Sequence, residues 1–438
     1  MNTSNSLLEL ADIIKCQSSA IYDLLNEMNV PQPSFSYPTS PESSMTVKII
    51  EDRRSCLLEA LDDLRALILG PEAYIFHTAM LSPSWTATLN VLYRYKVAYH
   101  VPKDGSISYS ELSMHCGLAE PDTVRIIRAA TSLRIFEEDP IGFVKHNAAS
   151  AILATSPAHD AIGFATEEYS PAALMYAESL QRFPNSNKAG ESPCAIVNGS
   201  IGDRDIFSLI AHDPSRVDRV ANAMTWVLDV PETSADHFLN NVPWLRVGGG
   251  RHYQCPKIVV DVGGSRGGLC ETLLTRFPSI EQAIVEDLPE VTEKNLERQI
   301  PEEVSGRIKY QAYDFFTEQV IKNADVYIFR TVIHDWPDSY AIKILRNQIP
   351  ALKQGAIILI NDICIEPSQW KPCIKNQTQS AHDIMVKMAL NAKERTKREW
   401  EELLLAADEG FRIASIVSPA NSAHSIIEIV WEGGLNQA

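Results

Sequence analysis

The sequence predicts an α/β fold in which a mostly parallel sheet follows an all-helical region. After residue 250, apolar β-branched runs alternate with helical stretches, the pattern of parallel strands joined by crossover helices. The first run lies in Lys257-Ile-Val-Val-Asp-Val-Gly-Gly-Ser-Arg-Gly267 and stops in a glycine-rich turn, and a later run leads into Ile333-His-Asp-Trp-Pro-Asp338. A turn shaped for a nucleotide-like ligand and a candidate base in the same sheet together predict an enzyme.

The C-terminal part of the chain is predicted to contain two kinds of strand. Five strands alternate with helices. The last two are separated by Pro419-Ala-Asn-Ser and are predicted to pair as a hairpin, with the last strand antiparallel to the sheet. The predicted strands are Ile258–Val262, Gln282–Val285, Ile308–Gln311, Val326–Arg330, Ala356–Ile360, Arg412–Val417 and Ser425–Trp431.

The N-terminal half is predicted to be helical. Leu7–Met28 and roughly Val47–Leu69 have helical periodicity, and Pro31–Ser44 between them reads as a linker. Ala158–Leu239 is mainly helical, with a loop from Pro184 to Gly202, and three glycines ending at Gly250 mark a boundary. The predicted domains are an N-terminal helical extension with its linker (1–75), a winged-helix-like dimerisation domain (76–155), a helical connecting and substrate region (156–245) and a cofactor-binding catalytic domain (246–438).

The segment around residues 108–145 has the pattern of a winged helix. Helices are predicted over Ser108–His115 and Asp122–Leu133, and short strands flank Asp139-Pro-Ile-Gly142 as the wing. One interpretation is a DNA-binding module, and the other is a packing and dimerisation module of the same shape. The second helix carries only Arg125 and Arg128, and the chain is acidic, so the dimerisation module is favoured.

Composition restricts the class of protein. At 438 residues the chain is long enough for two or three domains. Its formal net charge of -17 repels phosphate backbones and anionic membranes, so neither nucleic acid nor a membrane is an expected partner. The eight cysteines form no Cys-x-x-Cys pair, which fits free thiols in a reducing compartment. The N-terminus has no signal-peptide pattern and no segment is apolar enough to span a bilayer, so a cytoplasmic location is expected.

The glycine-rich turn favours one cofactor over another. A nicotinamide fingerprint requires Gly-x-Gly-x-x-Gly, but the corresponding residues are Gly263, Ser265 and Gly268, so the middle glycine is absent. The run Asp-Val-Gly-Gly-Ser-Arg-Gly instead resembles the first motif of S-adenosylmethionine-dependent methyltransferases, in which an acidic residue, here Asp261, precedes the glycines. The plainer alternative is a simple strand-to-helix connector.

Acidic residues follow the next two predicted strands. Glu286-Asp287-Leu288-Pro289 places a carboxylate where it can accept both hydroxyl hydrogens of a ribose. Asp314-Phe315-Phe316 offers an acid and an aromatic face that suit an adenine ring. The alternatives are a solvated loop acid in the first case, and a helix N-cap beside a core phenylalanine in the second.

Two further motifs, His-Asp-Trp-Pro-Asp and Lys393-Glu-Arg-Thr396, complete this series. In this order the motifs resemble those of the plant caffeate-type O-methyltransferase family, in its fungal branch. The resemblance covers roughly Leu81 to Trp431. The resemblance implies a class I methyltransferase Rossmann-like sheet, mostly parallel with an antiparallel last strand, behind an all-α winged-helix-like dimerisation domain. It also implies a homodimer that uses S-adenosyl-L-methionine, without metal, to methylate a phenolic or enolic oxygen. By position, the cofactor-binding residues would be Asp261, Gly263, Gly264, Ser265 and Gly267 around the methionine part, Asp287 with Leu288 at the ribose, Asp314 and Phe315 at the adenine, and Arg330 in place of the family's usual lysine.

His334 is the candidate general base. A phenol with a pKa of about 10 is a weak nucleophile at neutral pH, and a base within hydrogen-bond reach raises its oxyanion fraction. A histidine with a reference pKa of about 6.5 is mostly neutral and available for that task. Asp362 and Glu394 match the two acids that orient this imidazole in the family. Because Asp362 is one methylene shorter than the usual glutamate, its contact with the histidine is expected to be longer or reassigned. Asp335 is either a substrate contact or a cap for a helix over Ser339–Ile349.

The acceptor pocket is expected to be apolar and aromatic. Candidate substrate-contacting residues are Asn222, Met224, Trp226, Asp335, Met385 and Met388, since methionines adapt to flat rings. Ordinary helical core is an equally good interpretation of these positions. No ligand set for a metal is convincing, because His334 lies beside acids without a suitable spacing.

Three functions remain open at the level of sequence. The first is O-methylation of an aromatic, polyketide-like secondary metabolite. The second is a methyltransferase-like pericyclase or dehydratase that binds S-adenosylmethionine without transferring the methyl group. The third is a catalytically silent partner subunit. The intact histidine and the Lys-Glu-Arg-Thr acid favour methylation.

Overall fold

The computed structural model describes residues 6–37, 50–202, 205–245, 254–295, 298–367 and 370–433. The chain divides into two compact units. The first comprises Met1–Ser170, Asp218–Val227 and Pro372–Ile374, and the second comprises Pro171–Val217, Leu228–Lys371 and Lys375–Ala438. Half of the linker predicted at Pro31–Ser44, residues 38–44, and the three glycines of the predicted boundary, residues 248–250, lie outside the described residues.

Helices make up most of the chain before the seven-stranded sheet. The helices that alternate with the strands of this sheet cover its two faces. Several begin with a capping box, in which a serine or threonine side chain accepts a main-chain N–H three residues on, as Ser6, Ser108 and Thr396 do. The helices are α1 (Leu7–Glu27), α2 (Glu51–Phe76), α3 (Ser82–Arg94), α4 (Val97–His100), α5 (Tyr109–Cys116), α6 (Glu120–Ser132), α7 (Ala148–Leu153), α8 (Ser156–Phe164), α9 (Ser170–Leu174), α10 (Tyr176–Arg182), α11 (Pro193–Val197), α12 (Ile206–Ala211), α13 (Pro214–Val227), α14 (Ala235–Leu239), α15 (Gly268–Arg276), α16 (Pro289–Asn295), α17 (Glu302–Ser305), α18 (Asp338–Gln348), α19 (Ile374–Leu390) and α20 (Lys397–Ala407).

The strands form three sheets in the described part of the chain. A three-stranded sheet and a two-stranded parallel pair accompany a seven-stranded sheet. The strands are β1 (Ile107–Ser108), β2 (Glu137–Glu138), β3 (Phe143–Lys145), β4 (Ile258–Val262), β5 (Gln282–Asp287), β6 (Ile308–Ala312), β7 (Val326–Arg330), β8 (Ile357–Asp362), β9 (Cys364–Ile365), β10 (Arg395–Thr396), β11 (Phe411–Val417) and β12 (Ser425–Trp431).

The seven-stranded sheet confirms the predicted fold class. Its order is β11-β12-β8-β7-β4-β5-β6, and every pairing is parallel except those of β12 with β8 and β11. The strands β4, β7 and β12 have the predicted bounds. Because β4, β5, β7 and β8 run parallel, the turns that follow them meet at one edge of the sheet.

The core of the second unit lies between this sheet and its helices. Val259, Ile328 and Leu359 are fully buried at the sheet centre and belong to a cluster that also includes Leu273 of α15 and Phe238 of α14. The central strands are apolar on both faces because helices cover both, which is why their sequences read as continuous apolar runs. This rigid centre fixes the turns at the strand ends.

The winged-helix shape predicted in the first unit is also present. Helices α5 and α6 pack on the β1-β3-β2 sheet through Leu112, Ile127 and Val144, all fully buried. Strand β1 was not predicted, since it is two residues long and exists only through its pairing with β3. On α6, Arg128 is held by Glu138 of the wing at 3.0 Å and Arg125 by Asp122 at 2.6 Å. Both arginines are therefore engaged within the module.

Two further sequence predictions concern the cysteines and membrane segments. All eight cysteines lie in the described residues and each is a free thiol, as predicted. Among the described helices, none is both long and apolar enough to cross a membrane.

Candidate active site

The turn between β4 and α15 is shaped by glycines that approach other groups closely. The main-chain N–H groups of Gly263 and Gly264 donate to the carbonyl of Glu286 at 2.8 and 3.0 Å. A Cβ on Gly263, whose φ is +73°, would lie 2.9 Å from Val332, and one on Gly264 would lie 2.7 Å from a carboxylate oxygen of Asp261. The turn therefore requires glycine at both positions, because the protein itself fills the space that a side chain would take.

Asp287, at the end of β5, faces the glycine turn. One of its oxygens accepts the main-chain N–H of Ser265 at 2.8 Å, and the other accepts that of Leu288 at 2.8 Å. Burial raises the pKa of this carboxyl, although both N–H groups favour the charged form. Each oxygen keeps a lone pair for a ligand hydroxyl, as binding a ribose requires.

Asp261 and Arg330 lie on adjacent strands. Asp261 is buried, and its burial raises the pKa of the carboxyl to about 6. The Cys270 thiol lies 3.6 Å from one of its oxygens, and the charge of Arg330 partly offsets the effect of burial. The Arg330 guanidinium donates to the carbonyl of Thr233 at 2.7 Å and to the side chain of Asn361 at 3.3 Å. It is thus fixed beside the strand ends.

Asp314 and Phe315 occupy the turn after β6. The Asp314 carboxylate accepts the N–H of Phe316 at 2.9 Å, and its side chain is exposed. No helix follows in the described residues 313–323, so Asp314 is not a helix N-cap. The Phe315 ring is half-buried and stands edge-on to Trp336 at 5.9 Å between centroids. An aromatic face and an acid are therefore both presented at this turn.

His334 follows β7 and makes a close contact with one acid. Its Nδ1 atom lies 2.7 Å from Oε1 of Glu394, and the side chain is 9% exposed. Its Nε2 atom lies 3.7 Å from Oδ1 of Asp335. Since Nδ1 is engaged by Glu394, Nε2 is the ring atom available for proton transfer.

Asp362 was expected to orient the imidazole ring of His334, but it contacts the main chain of that residue instead. Its Oδ2 atom accepts the main-chain N–H of His334 at 2.9 Å, so it fixes the backbone rather than the imidazole. The shorter aspartate side chain explains this reassignment. Within the described residues, the second oxygens of Asp362 and Glu394 are buried without a hydrogen-bond partner.

The alternative role of Asp335 as a helix cap is wrong. Helix α18 begins at Asp338, its N-cap residue is Pro337, and no side chain caps it. Asp335 instead faces His334, and burial raises the pKa of its carboxyl to about 6.

The electrostatics of His334 also differ from expectation. Burial alone would lower the pKa of the imidazole, but Glu394, Asp335 and Asp362 outweigh that effect and raise it to about 10. His334 was expected to be a mostly neutral imidazole with an ordinary pKa, but its surroundings make it bind its proton strongly. This group is a strong base once it is neutral.

Arg395 fixes Glu394 relative to His334, and sequence reasoning missed it. The Arg395 side chain is fully buried, donates twice to Asp338 at 2.8 and 3.0 Å, and also donates to the carbonyls of Ile333 and Trp336. The short pairing of β10 with β9 brings this segment beside the end of β8. The signal was available in the sequence, since the arginine stands next to Glu394.

The predicted substrate residues fall in both units. Asn222, Met224 and Trp226 lie on α13 within the first unit, where Asn222 donates to Asp160 at 2.6 Å and Met224 packs on the cluster around Phe164. Met385 and Met388 lie on α19 in the second unit, and Met388 is buried. Among the predicted catalytic and substrate residues, His334 is the one that contacts Asp335, Asp362 and Glu394.

Two histidines of the second unit were not singled out from the sequence. His382 and His424 belong to no motif, so a single sequence gave no signal for them. Their rings lie 6.0 Å apart between centroids. Within the described ranges, no group of three or more His, Cys, Asp or Glu side chains is arranged to hold a metal ion.

Comparison with known proteins gives consistent results. The family model of the O-methyltransferase domain matches residues 251–412. The O-methyltransferase kk1A of Curvularia clavata is 31% identical over 427 residues, covering 97% of each chain. The chlorophenol O-methyltransferase of Trichoderma longibrachiatum is 31% identical over 436 residues, covering 98% of this chain and 91% of that one. A solved structure described as a pericyclic reaction enzyme has a TM-score of 0.75 at 20% identity, covering 97% of this chain and 100% of that one, which is a likeness of fold.

Proposed function

This chain belongs to the S-adenosylmethionine-dependent O-methyltransferases, and from that membership we propose that it methylates a phenolic or enolic hydroxyl of a small aromatic, polyketide-like metabolite with His334 as the general base. The relative named for chlorophenol methylation supports a phenolic acceptor. The observation that carries the catalytic assignment is the buried contact between Nδ1 of His334 and Glu394 at 2.7 Å, which leaves Nε2 as the proton acceptor.

The residues at the sheet edge fit the cofactor. The tight turn formed by Gly263 and Gly264 would lie beside the methionine part, with Ser265 and Gly267 completing the turn around it. Asp287 and Leu288 would meet the ribose, Asp314 and Phe315 the adenine, while Asp261 and Arg330 would support the turn from β4 and β7. The bound cofactor supplies an electrophilic methyl group on a sulfonium.

In our proposal, His334 takes the proton of the acceptor hydroxyl onto Nε2, and the methyl group would pass to that oxygen as its bond to sulfur breaks and S-adenosylhomocysteine leaves. Glu394 orients the ring and stabilises the imidazolium that results, and Asp362 holds the main chain. Only the neutral ring can accept a proton. A positive charge brought next to the ring lowers its pKa, so we expect the neutral fraction to rise when the cationic cofactor is bound.

The test is an acceptor panel of small phenols incubated with S-adenosylmethionine. We expect a methyl ether and S-adenosylhomocysteine in equal amounts by mass spectrometry. In His334→Gln, the rate is expected to fall by about 10²–10⁴-fold, because the proton acceptor is lost, while calorimetry shows an unchanged affinity for S-adenosylhomocysteine, whose sulfur carries no charge. A normal rate in His334→Gln would assign the base to another group. Conversion of an acceptor without S-adenosylhomocysteine would replace methylation by the pericyclic or dehydration alternative.

We also propose that the protein is a homodimer. This proposal is supported by the apolar side chains that are exposed on α2 and on the helical segment His77–Leu81 after it, which a second copy would cover. The winged-helix-like module and the N-terminal helices are the parts that we assign to this association.

A further inference from the structure

Asp383 of α19 contacts the segment that carries Glu394. Its Oδ1 atom accepts the main-chain N–H of Glu394 at 2.8 Å, and its side chain is half-buried. Glu394 is the acid whose carboxylate lies 2.7 Å from Nδ1 of His334. The hydrogen bond of Asp383 therefore joins α19 to the residue that orients the proposed base.

The Glu394 carboxylate has few contacts of its own that would fix it. Its side chain is fully buried, and its Oε1 atom contacts His334. Within the described residues, its Oε2 atom has no hydrogen-bond partner. A carboxylate held at one oxygen can still shift, so its position depends on how firmly its main chain is held.

The end of α19 brings Glu394 back towards Asp383. Helix α19 ends at Leu390, and Asn391 has a left-handed φ of +59°, a conformation that asparagine tolerates better than most residues. The N–H of Asn391 donates to the carbonyl of Lys387 at 3.0 Å, which closes the last turn of the helix. The chain then leaves the helix in a direction in which the N–H of Glu394 meets the Asp383 carboxylate.

The other member of the pair is held in the same way. The main-chain N–H of His334 donates to Oδ2 of Asp362 at 2.9 Å. Each member therefore has its main-chain N–H bound by an aspartate, one at the end of β8 and the other on α19. Hydrogen bonds to a charged acceptor are roughly twice as strong as those between neutral groups, so two elements fix the backbones of His334 and Glu394.

We propose that Asp383 is a positioning residue for the proton transfer, which keeps the Glu394 carboxylate within hydrogen-bond distance of Nδ1 of His334 by holding the main chain of Glu394. This inference rests on the proposed function and adds α19 to the elements that set the geometry of its base. Without this hydrogen bond Glu394 shifts, and the imidazole loses the orientation in which Nε2 can reach the acceptor hydroxyl. A displacement of about 1 Å can lower a rate by about 10²-fold, so the effect falls on kcat.

The experiment compares two replacements of Asp383 that are similar in size. Asp383→Leu removes the acceptor for the N–H of Glu394, whereas Asp383→Asn keeps a carbonyl oxygen for it. Burial raises the pKa of the Glu394 carboxyl, and the charge of Asp383 adds to that effect. Both replacements remove this charge, so they differ in the hydrogen bond. With a phenol that the wild type methylates, we expect Asp383→Leu to lower kcat by about 10–100-fold at a nearly unchanged KM, and Asp383→Asn to recover most of kcat.

Further variants separate positioning from folding. Asp383→Ala also lacks the acceptor but leaves space instead of filling it, so the comparison does not depend on one replacement. Thermal unfolding and the affinity for S-adenosylhomocysteine show that each variant is folded. Gln377→Leu, at an exposed position of the same helix, is the control and should behave as wild type. A wild-type kcat in Asp383→Leu, equal losses of kcat in the Leu and Asn variants, or a loss in KM alone would overturn the positioning role.

A spectroscopic measurement keeps this test independent of methyl transfer. In the protonated imidazole, the proton between Nδ1 of His334 and Glu394 lies in a short, charge-assisted hydrogen bond, so it should give a low-field proton NMR resonance that His334→Gln removes. We expect this resonance in wild type and Asp383→Asn, and its loss or upfield shift in Asp383→Leu. Its absence from wild type, or an unchanged resonance in Asp383→Leu, would overturn the inference. Failure of the proposed function would appear separately, as a wild-type resonance without a methylated product.

Discussion

At the scale of single residues, the charge on His334 is set by the acids around it. Glu394 at 2.7 Å, Asp335 at 3.7 Å and Asp362 on the main chain raise the pKa of the imidazole to about 10 in spite of burial. Glu394, the acid that orients the ring, therefore also helps to hold the ring protonated. The proposed base becomes active when a proton leaves this cluster, so activity should depend on pH.

The pH dependence is tested by removing one of these negative charges. Glu394→Gln should lower the pKa of His334, because the imidazolium loses its nearest counter-charge. The rising limb of the profile of log kcat/KM against pH should therefore move to lower pH, by about 1–2 units. Glu402→Gln, at a surface glutamate that pairs with Arg398, is the control and should leave the limb in place. An unmoved limb in Glu394→Gln would mean that another group, such as the acceptor hydroxyl itself, sets the profile.

Glu286 gives a second pH effect, this time on stability. Its side chain is buried on β5, and burial raises the pKa of the carboxyl from 4.5 to about 7. The folded state thus binds more protons than the unfolded state between these two values, and stability falls as pH rises through that window. Glu286→Gln removes the ionisation while it can still accept the amide hydrogen of Gln319.

We therefore expect Glu286→Gln to be more stable than wild type by roughly 3 kcal/mol at pH 8 and equally stable near pH 4, since each pKa unit corresponds to about 1.4 kcal/mol. Urea denaturation at both pH values measures the difference. Glu281→Gln, at an exposed position next to the start of the same strand, is the control. A gain of the same size at both pH values would point to packing instead of ionisation.

At the scale of elements, a buried arginine joins β10 to the loop that carries His334. Arg395 makes its hydrogen bonds to Asp338 and to two carbonyls of the segment 333–336, and it stacks over Trp400 at 5.2 Å. Because Glu394 precedes it directly, the same contacts set the distance between Glu394 and His334. Arg395 is therefore a positioning residue.

Substitution of Arg395 should affect both stability and turnover. Arg395→Ala is expected to destabilise the protein by about 2–4 kcal/mol, because buried carbonyls lose their donor. Arg395→Lys keeps the charge without the planar fork, so it should fold but show a lower kcat with a nearly unchanged KM. Arg398→Ala, three residues further at an exposed position, should change either quantity little. Thermal unfolding and steady-state kinetics measure these effects. An unchanged kcat in Arg395→Lys would restrict the residue to a structural role.

Sequence patterns predict strands more reliably than they predict contacts. The bounds of β4 and β7 follow from apolar runs that end in a glycine turn or a polar motif, and both were predicted correctly. The pairing of β9 with β10 was not, because two-residue strands carry no periodicity and exist only through a long-range contact. For the same reason the binding of Asp362 to the main chain of His334 could not be read from the sequence.

At the scale of the whole molecule, strand order explains why distant motifs meet. The neighbours β8, β7, β4 and β5 run parallel, so the segments after Arg330, Val262 and Asp287 and the end of β8 lie at one edge of the sheet. This order could be expected once the family resemblance was recognised, and the candidate site follows from it. His382 on α19 and His424 just before β12 belong to no family motif, so the sequence did not single them out.

Exposed apolar side chains also bear on the proposed dimer of two whole chains. Large apolar side chains on α2 and on the helical segment His77–Leu81 after it have exposed fractions from 41% to 69%. They are Leu61, Leu67, Ile68, Tyr74, Ile75, Phe76 and Met80. Where such side chains form a contiguous patch, the patch marks an association surface.

If a second copy covers this surface, light scattering of the full chain should give twice the mass of one chain. The double substitution Ile68→Glu and Ile75→Glu places two charges in the contact and should shift the mass to that of a monomer, because burying unpaired carboxylates is unfavourable. Leu405→Glu alters a side chain on α20 that is 64% exposed and lies in the second unit, outside the segments assigned to the association, and it should leave the dimer intact. A monomeric wild-type protein would contradict the assignment. A dimer that persists in the double variant would move the interface away from α2.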